Sequence, residues 1–94
     1  MAKAGPSTHI LIELISELPG GFRDLQTINS VLSRYDAEIW EELTRRAPDN
    51  SGRWKYTYMR IVAWVPKENY HPLATSFGTM QKRGRLKINP STYL

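Results

Sequence analysis

The chain has 94 residues and a mass of 10.9 kDa, which suits one domain with a single core and excludes a two-domain enzyme with an interdomain cleft. Cysteine is absent, so disulfides, thiolate metal sites and cysteine nucleophiles are excluded. The net charge of +4 is unevenly placed: residues 1–48 hold five Lys and Arg against seven Asp and Glu, whereas residues 49–94 hold eight against two.

The first predicted element is a strand from His9 to Ile15, where β-branched residues are frequent and alternate positions are apolar. Ile10, Ile12 and Leu14 would share its inward face. The turn residues Pro19-Gly20-Gly21 end this strand.

From Asp24 to Arg46 the apolar residues recur at intervals of three and four, which predicts a helix. The stripe comprises Leu25, Ile28, Leu32, Tyr35, Ile39 and Leu43. Asp24 can accept hydrogen bonds from the first-turn amides, and Pro48 marks the end of the helix. Two versions fit this segment. The helix is either unbroken, or it is interrupted near Ser33, where Ser33-Arg34-Tyr35-Asp36 resembles a capping box.

The strongest strand signal runs from Arg53 to Val65, after a loop at 49–52. Both of its faces carry apolar residues, so we expect one face to pack on the helix and the other to be exposed or covered by a partner. A further strand is expected at Leu73–Met80, then a turn at 81–84 and a final strand at Arg85–Asn89.

These elements predict an α+β fold, with an antiparallel or mixed sheet of three to four strands and one long helix, unbroken or interrupted, packed on one face. We expect a flexible N-terminal segment at 1–8, a single globular domain at 9–90 and a C-terminal tail at 91–94. No apolar run is long enough for a membrane span, and no signal peptide is recognisable. We therefore expect an intracellular protein, cytoplasmic or nuclear, that is not secreted.

The sequence offers little for catalysis, so we expect a protein that is not an enzyme and holds no cofactor. His9 and His71 lie in different elements and lack partners at the spacing of a zinc site, which argues against a metal centre. Glu38, Glu41 and Glu42 fit the solvated face of a helix better than acid–base catalysis.

A cluster of four cations within six residues is the clearest candidate binding site; its members are Lys82, Arg83, Arg85 and Lys87. Together they create a local positive field, and Gly84 lets the backbone approach a phosphate closely. Arg85 and Lys87 would project from the same strand face. The pattern also fits an edge strand protected from aggregation by charge, and the sequence leaves this alternative open.

A second candidate site combines the cations and aromatic residues of the Arg53–Val65 strand. The cations Arg53, Lys55 and Arg60 are interleaved with Trp54, Tyr56, Tyr58 and Trp64. Aromatic platforms rimmed with cations bind single-stranded nucleic acid, so stacking on bases is one role for these rings. Packing in the core or at a protein interface is the other.

The stretch Phe22-Arg23-x-Leu25-x-x-Ile28-x-x-x-Leu32-Ser33-x-Tyr35-Asp36 resembles the start of the globular domain of rhabdovirus matrix proteins. In that family a strand likewise runs through a short turn into a Phe-Arg-led helix with an aromatic–Asp pair, followed by a loop and a long apolar strand. The likeness extends in outline over residues 10–65. It implies a protein that bridges a nucleocapsid to an anionic membrane and self-associates. The chain departs from the family in being shorter, in having Lys3 as the one cation of its N-terminal segment, and in lacking Pro-Pro-x-Tyr.

Three functions are compatible with these observations. The first is a small, basic, non-enzymatic assembly protein of viral matrix type that binds an acidic surface, either a nucleocapsid or an anionic membrane, and forms a homo-oligomer. The second is a nucleic-acid-binding regulatory protein of viral or phage type, which uses the basic C-terminal strand and the Arg53–Trp64 segment. The third is a protein-inhibitor or adaptor domain with a protein partner. Nothing in the residues selects the identity of the partner.

Overall fold

The structure of the protein is a computed structural model, which describes residues 5–90. The predictions for residues 1–4 and 91–94 lie outside this range. The elements in chain order are β1 (His9–Ser16), α1 (Phe22–Arg34), β2 (Glu38–Pro48), β3 (Trp54–Pro66), a 3-10 turn (Lys67–Asn69), α2 (Tyr70–Ser76), α3 (Gly78–Lys82) and β4 (Lys87–Pro90).

The four strands form one sheet in the order β2-β3-β1-β4, with every neighbouring pair antiparallel. The helix α1 connects β1 to β2, a tight turn connects β2 to β3, and a second helical segment connects β3 to β4. The order along the chain is therefore β-α-β-β-α-β. The predicted α+β class and antiparallel sheet are therefore confirmed. The helices pack on one face of the sheet, and the opposite face, termed here the open face, carries no helix from the described residues.

The core lies between the helical layer and the two central strands. On α1 the residues Leu25, Ile28 and Leu32 form the predicted stripe, and all three are buried. They meet the alternating inward residues of β1 and β3, among them Ile12 and Ile61. This alternation is what the sequence indicated for both strands, and their predicted bounds are confirmed to within one residue.

The single long helix is wrong, because α1 ends at Arg34 and the chain turns at Asp36. Asp36 has a left-handed backbone with φ +57°, a conformation that Asp tolerates better than most residues. The Ala37 N–H donates to the Leu32 carbonyl at 2.9 Å, and the Asp36 N–H donates to Ser33 at 3.2 Å. These two bonds form a Schellman cap, in which glycine usually occupies the position that Asp36 holds here.

The residues after this cap form the edge strand β2 instead of a continued helix. Ile39 and Leu43, which extended the helical stripe in the sequence, are exposed on this strand. Pairing with β3 along almost the whole of β2 decides its conformation, because it satisfies backbone groups that no local pattern reveals. The turn at 49–52, where Gly52 has φ +84°, closes the hairpin.

The strand predicted at Leu73–Met80 is also wrong, since this segment forms α2 and α3. Leu73 and Phe77 alternate with polar residues in a way that suits a strand, but they are also four residues apart. Both are fully buried against the sheet, with Tyr70 and Met80 packed beside them at helical spacing. The final strand is confirmed as β4, and Leu86 and Ile88 contact the core as predicted.

An ion pair ties the start of α1 to the turn before β4. The Asp24 carboxylate is 2% exposed and receives hydrogen bonds from the Arg85 guanidinium through both of its oxygens. It also accepts from the Gly20 N–H at 3.0 Å. A side chain at Gly20 would collide with this pair, since a β-carbon at that position would lie 2.5 Å from Asp24 Oδ1 and 2.9 Å from an Arg85 nitrogen.

Replacing Gly20 with alanine should therefore lower the free energy of unfolding by about 1–3 kcal/mol, because a buried carboxylate would lose part of its hydrogen bonding. Urea denaturation followed by circular dichroism measures the change. Gly78→Ala is the matched control: a β-carbon there meets open space, and its stability should stay within about 1 kcal/mol of the parent protein. Equal stability of the two variants would contradict the role given to this ion pair.

Candidate functional site

The β2–β3 hairpin extends beyond the rest of the sheet. β1 pairs with β3 only from Met59 onward, whereas β2 pairs with β3 from Trp54 onward. Residues 45–58 therefore project past β1 and are termed the hairpin arm. The molecule is correspondingly elongated, measuring 48 × 23 × 23 Å.

The predicted basic cluster lies at the root of this arm. The Ser16 hydroxyl donates to the Arg85 carbonyl at 2.6 Å, and Ser16 pairs with Met59, the residue at which the arm leaves the sheet. Residues 82–87, termed the basic turn, thus sit at the same end of the molecule as the arm. Arg53 and Lys55, which lie in the arm, share this end with the basic turn, so six of the seven predicted cations are gathered there.

Arg60, the seventh predicted cation, lies beside the root of the arm but is held in ion pairs. It pairs across the sheet with Ile15 and forms ion pairs with Glu13 at 2.6 Å and Glu41 at 3.4 Å. Its guanidinium is thus committed to carboxylates on both neighbouring strands. The structure places this residue on the open face, in the same row of the sheet as Ile15 and Lys87, with its charge already paired.

The cations of the basic turn differ in what they contact. Arg85 turns toward α1 and pairs with Asp24, so its charge is already balanced. The prediction that Arg85 and Lys87 share one strand face is therefore wrong. Lys82, Arg83 and Lys87 are exposed, and within residues 5–90 none of them forms an ion pair. These three are the cations of the turn that a ligand could reach.

A small cleft runs beside the basic turn. It has a volume of about 160 Å³ and is lined by Ile15, Ser16, Glu17, Gly84, Arg85, Leu86 and Lys87. Gly84 has φ +68°, which favours glycine, and the space around its α-carbon is open. Lys87 borders the cleft, and the exposed backbone at Gly84 forms part of its wall.

The arm places arginines over aromatic rings. The Arg46 guanidinium lies 6.0 Å from the Trp54 ring and 5.8 Å from the Tyr56 ring, and Arg45 lies 5.1 Å from Tyr58. Sequence reasoning misses both arginines because the helical periodicity assigns them to a helix. The sequence signal that points to them is the turn at 49–52, read as the turn of a hairpin. The register of that hairpin sets Arg45 opposite Tyr58 and Arg46 opposite Tyr56.

The four predicted aromatic residues divide between two surfaces. Trp54 is 64% exposed, and Tyr56 stacks on Phe22 of α1 with 6.2 Å between ring centroids. Trp64 instead lies at the far end of β3, 6.3 Å from the exposed Trp40 of β2. Tyr58 contacts Arg45 at the base of the arm.

The open face combines apolar residues with charges. Leu11 and Val62 are each 1% exposed although no helix of the described residues covers this face. Trp40 and Leu43, on the edge strand, remain largely exposed. The sheet therefore offers an uncovered surface that is apolar in part and carries both signs of charge.

The tip of the arm is ordered by Asp49. Its carboxylate accepts hydrogen bonds from the Ser51 hydroxyl at 2.7 Å, the Ser51 N–H at 2.8 Å and the Arg53 N–H at 3.0 Å. These donors, the Ser51 hydroxyl first, hold the pKa of Asp49 below its ordinary value of 3.8. The one carboxylate of the arm is therefore occupied within its own turn.

Residues 5–90 contain no group of three metal-ligating side chains. In the same part of the chain, no helix has the length and apolar character needed to cross a membrane.

No protein-family model matches the chain, and no curated protein matches it. Solved structures do share its fold. An unknown protein from Galdieria sulphuraria aligns with a TM-score of 0.67 and 18% identity over 95% of this chain, which spans only 52% of that protein. CPII, a nitrogen regulatory PII-like protein from Thiomonas intermedia K12, aligns with a TM-score of 0.58 and 17% identity over 88% of this chain and 87% of its own. That CPII structure holds ADP, AMP and bicarbonate. At such identities the likeness concerns the fold alone.

Replacing Ser51 with alanine should raise the pKa of Asp49 toward 3.8, because it removes the hydrogen bond that lowers this pKa most. Because the pKa of Asp49 is lowered in the folded protein, its ionised carboxylate stabilises the turn at pH values above the ordinary pKa. This stabilisation is lost as the pH falls through the lowered pKa. Carbon NMR of the Asp49 carboxylate during an acid titration measures the titration midpoint in the parent protein and in Ser51→Ala. Ser30→Ala, on the outer surface of α1, serves as the control, and an unmoved midpoint in Ser51→Ala would contradict the assignment.

Proposed function

We propose that the protein is a non-catalytic regulatory protein that binds an adenine nucleotide through its phosphates at the basic turn. The observation that carries the proposal is the exposed trio Lys82, Arg83 and Lys87, none of which forms an ion pair within residues 5–90, together with a cleft that Lys87 lines beside Gly84. Ammonium and guanidinium groups around an accessible glycine backbone form a suitable environment for phosphate.

The size of the cleft limits what it could enclose. Pockets that surround a whole drug-sized ligand usually measure about 300–1,000 Å³. A cleft of about 160 Å³ is smaller, so it would hold the phosphates and leave the base outside it. The nucleotide would then be recognised mainly by charge, which makes its affinity dependent on salt.

One further observation supports the proposal. The CPII structure, which shares the fold over most of both chains, is that of a nitrogen regulatory PII-like protein and holds ADP and AMP.

The acidic partner expected from the sequence is consistent with this proposal, because a nucleotide presents the same phosphate chemistry as a nucleocapsid or an anionic membrane. The matrix-type assembly role stays a prediction. No contact among the described residues favours a lipid surface over a soluble phosphate.

We further propose that the protein self-associates through its open face, with a second copy as the occupant. Trp40 and Leu43 expose apolar area on this face. Glu38 lies on the outer strand β2 and Lys87 on the outer strand β4, so the face carries opposite charges at its two edges and is complementary to itself. Either an isologous or a cyclic arrangement could use this complementarity.

The nucleotide proposal predicts that the Arg83→Gln/Lys87→Gln variant binds ADP and AMP at least about 10-fold more weakly than the parent protein, because each charge-assisted hydrogen bond contributes about 1.5 kcal/mol or more. Isothermal titration calorimetry at low ionic strength measures the affinity. Arg85 is left unchanged because it stabilises the fold through Asp24.

The matched control is Arg34→Gln/Lys67→Gln, which lowers the net charge equally at the end of the molecule opposite the arm. This variant should keep the affinity of the parent protein. Absence of saturable binding at millimolar ADP, or equal weakening by both double variants, would refute the nucleotide site.

The self-association proposal predicts that the parent protein sediments as an oligomer and that Trp40→Glu/Leu43→Glu shifts it toward the monomer, because charge would replace apolar contact area. Analytical ultracentrifugation over a range of concentrations provides the measurement. Phe22→Glu, which changes an equally exposed residue on the helical side, should leave the oligomer intact. A parent protein that is monomeric at high concentration would exclude this interface.

A further inference from the structure

The hairpin arm carries aromatic rings that its fold does not bury. Trp54 is 64% exposed and Phe22, at the start of α1, is 58% exposed. Trp54 lies on the projecting hairpin and Phe22 on the adjacent helix, and neither ring belongs to the hydrophobic core, so core packing does not account for them. For Trp54, one of the four aromatic residues for which the sequence left several roles open, this exposure argues against a place in the core.

The rings form a nearly continuous surface. Phe22 and Tyr56 are stacked, with an interplanar angle of 26°, and the Arg46 guanidinium lies about equally far from the Tyr56 and Trp54 rings. Phe22, Arg46, Trp54 and Tyr56 together are termed the stacking surface. It presents flat faces of the kind on which unpaired bases stack.

The charge around this surface is complementary to a phosphate backbone. The arm holds four cations, Arg45, Arg46, Arg53 and Lys55, and a single carboxylate, Asp49. Three hydrogen bonds hold the Asp49 carboxylate within the turn at the tip, and the four cations outnumber this one negative charge. None of the four cations forms an ion pair within residues 5–90.

We propose that the hairpin arm binds single-stranded nucleic acid, with bases stacked on the stacking surface and phosphates contacted by Arg46, Arg53 and Lys55. Lys55 alternates with Trp54 and Tyr56, so it would reach the phosphates from the other face of the strand. This site is separate from the nucleotide site proposed at the basic turn and does not depend on it. Single strands fit because their base faces are free, whereas a duplex hides those faces and offers the arm only its phosphates.

Fluorescence anisotropy with labelled oligouridylate and oligothymidylate of about 12 nucleotides tests the proposal. We expect binding that weakens as salt rises from about 50 to 200 mM, with a slope near −2 for three phosphate contacts on a single strand. Trp54→Ala should weaken binding about 10-fold, and Lys55→Gln should reduce the slope by about 0.7. Tryptophan emission should be quenched on binding in the parent protein and less so in Trp54→Ala.

Ile39→Ala is the matched control, because Ile39 is 41% exposed on the same hairpin but lies outside the arm. It should bind the oligonucleotides as the parent protein does, whereas Arg83→Gln/Lys87→Gln should weaken ADP binding more than oligonucleotide binding, which separates this proposal from the nucleotide site. The proposal is overturned if Trp54→Ala and Ile39→Ala behave alike, if a duplex of equal length binds as tightly, or if polyglutamate competes as well as the single strand.

Discussion

The antiparallel pairing of β2 with β3 is the constraint on which the remaining features depend. It holds residues 38–48 in an extended conformation although most of their side chains are exposed, so the strand is stabilised by its backbone ladder more than by burial. Because this ladder continues past the last row shared with β1, it also creates the hairpin arm. The same pairing makes β2 an edge strand, where charged residues such as Glu41 and Glu42 discourage edge-to-edge aggregation.

The second stabilising contact is the ion pair between Asp24 and Arg85, which joins two turns that are distant in sequence. The carboxylate is buried and its oxygens receive donors from both the Arg85 guanidinium and the Gly20 backbone, which offsets the cost of its desolvation. The contact fixes the basic turn against the start of α1, beside the root of the arm. Arg85, which the sequence suggested as a ligand for acidic partners, thereby helps to position its neighbours Arg83 and Lys87.

Both proposed sites arise from the segregation of charge along the molecule. The cations of the arm and of the basic turn belong to segments far apart in the chain, and the alternating direction of the strands brings them to one end. A field gathered in this way attracts phosphates at a distance, while contacts specific to each surface would distinguish the ligands. The basic turn offers ammonium and guanidinium groups around a small cleft, whereas the arm offers flat rings, and for this reason we propose a different phosphate ligand for each surface.

The sequence by itself determined the three strands with alternating or apolar patterns, the helix of Leu25, Ile28 and Leu32, and the excess of cations in the second half of the chain. These features are local, since periodicity records which side chains meet the core. Only the tertiary structure decided that Glu38–Pro48 is a strand, that Leu73 lies on α2 and Phe77 between α2 and α3, and that Arg60 and Arg85 are already paired. An edge strand exposed on both faces leaves no burial pattern, and a spacing of four residues suits both a strand face and a helix face. In each case partners distant in sequence selected one conformation, which is why the residues alone could not reveal it.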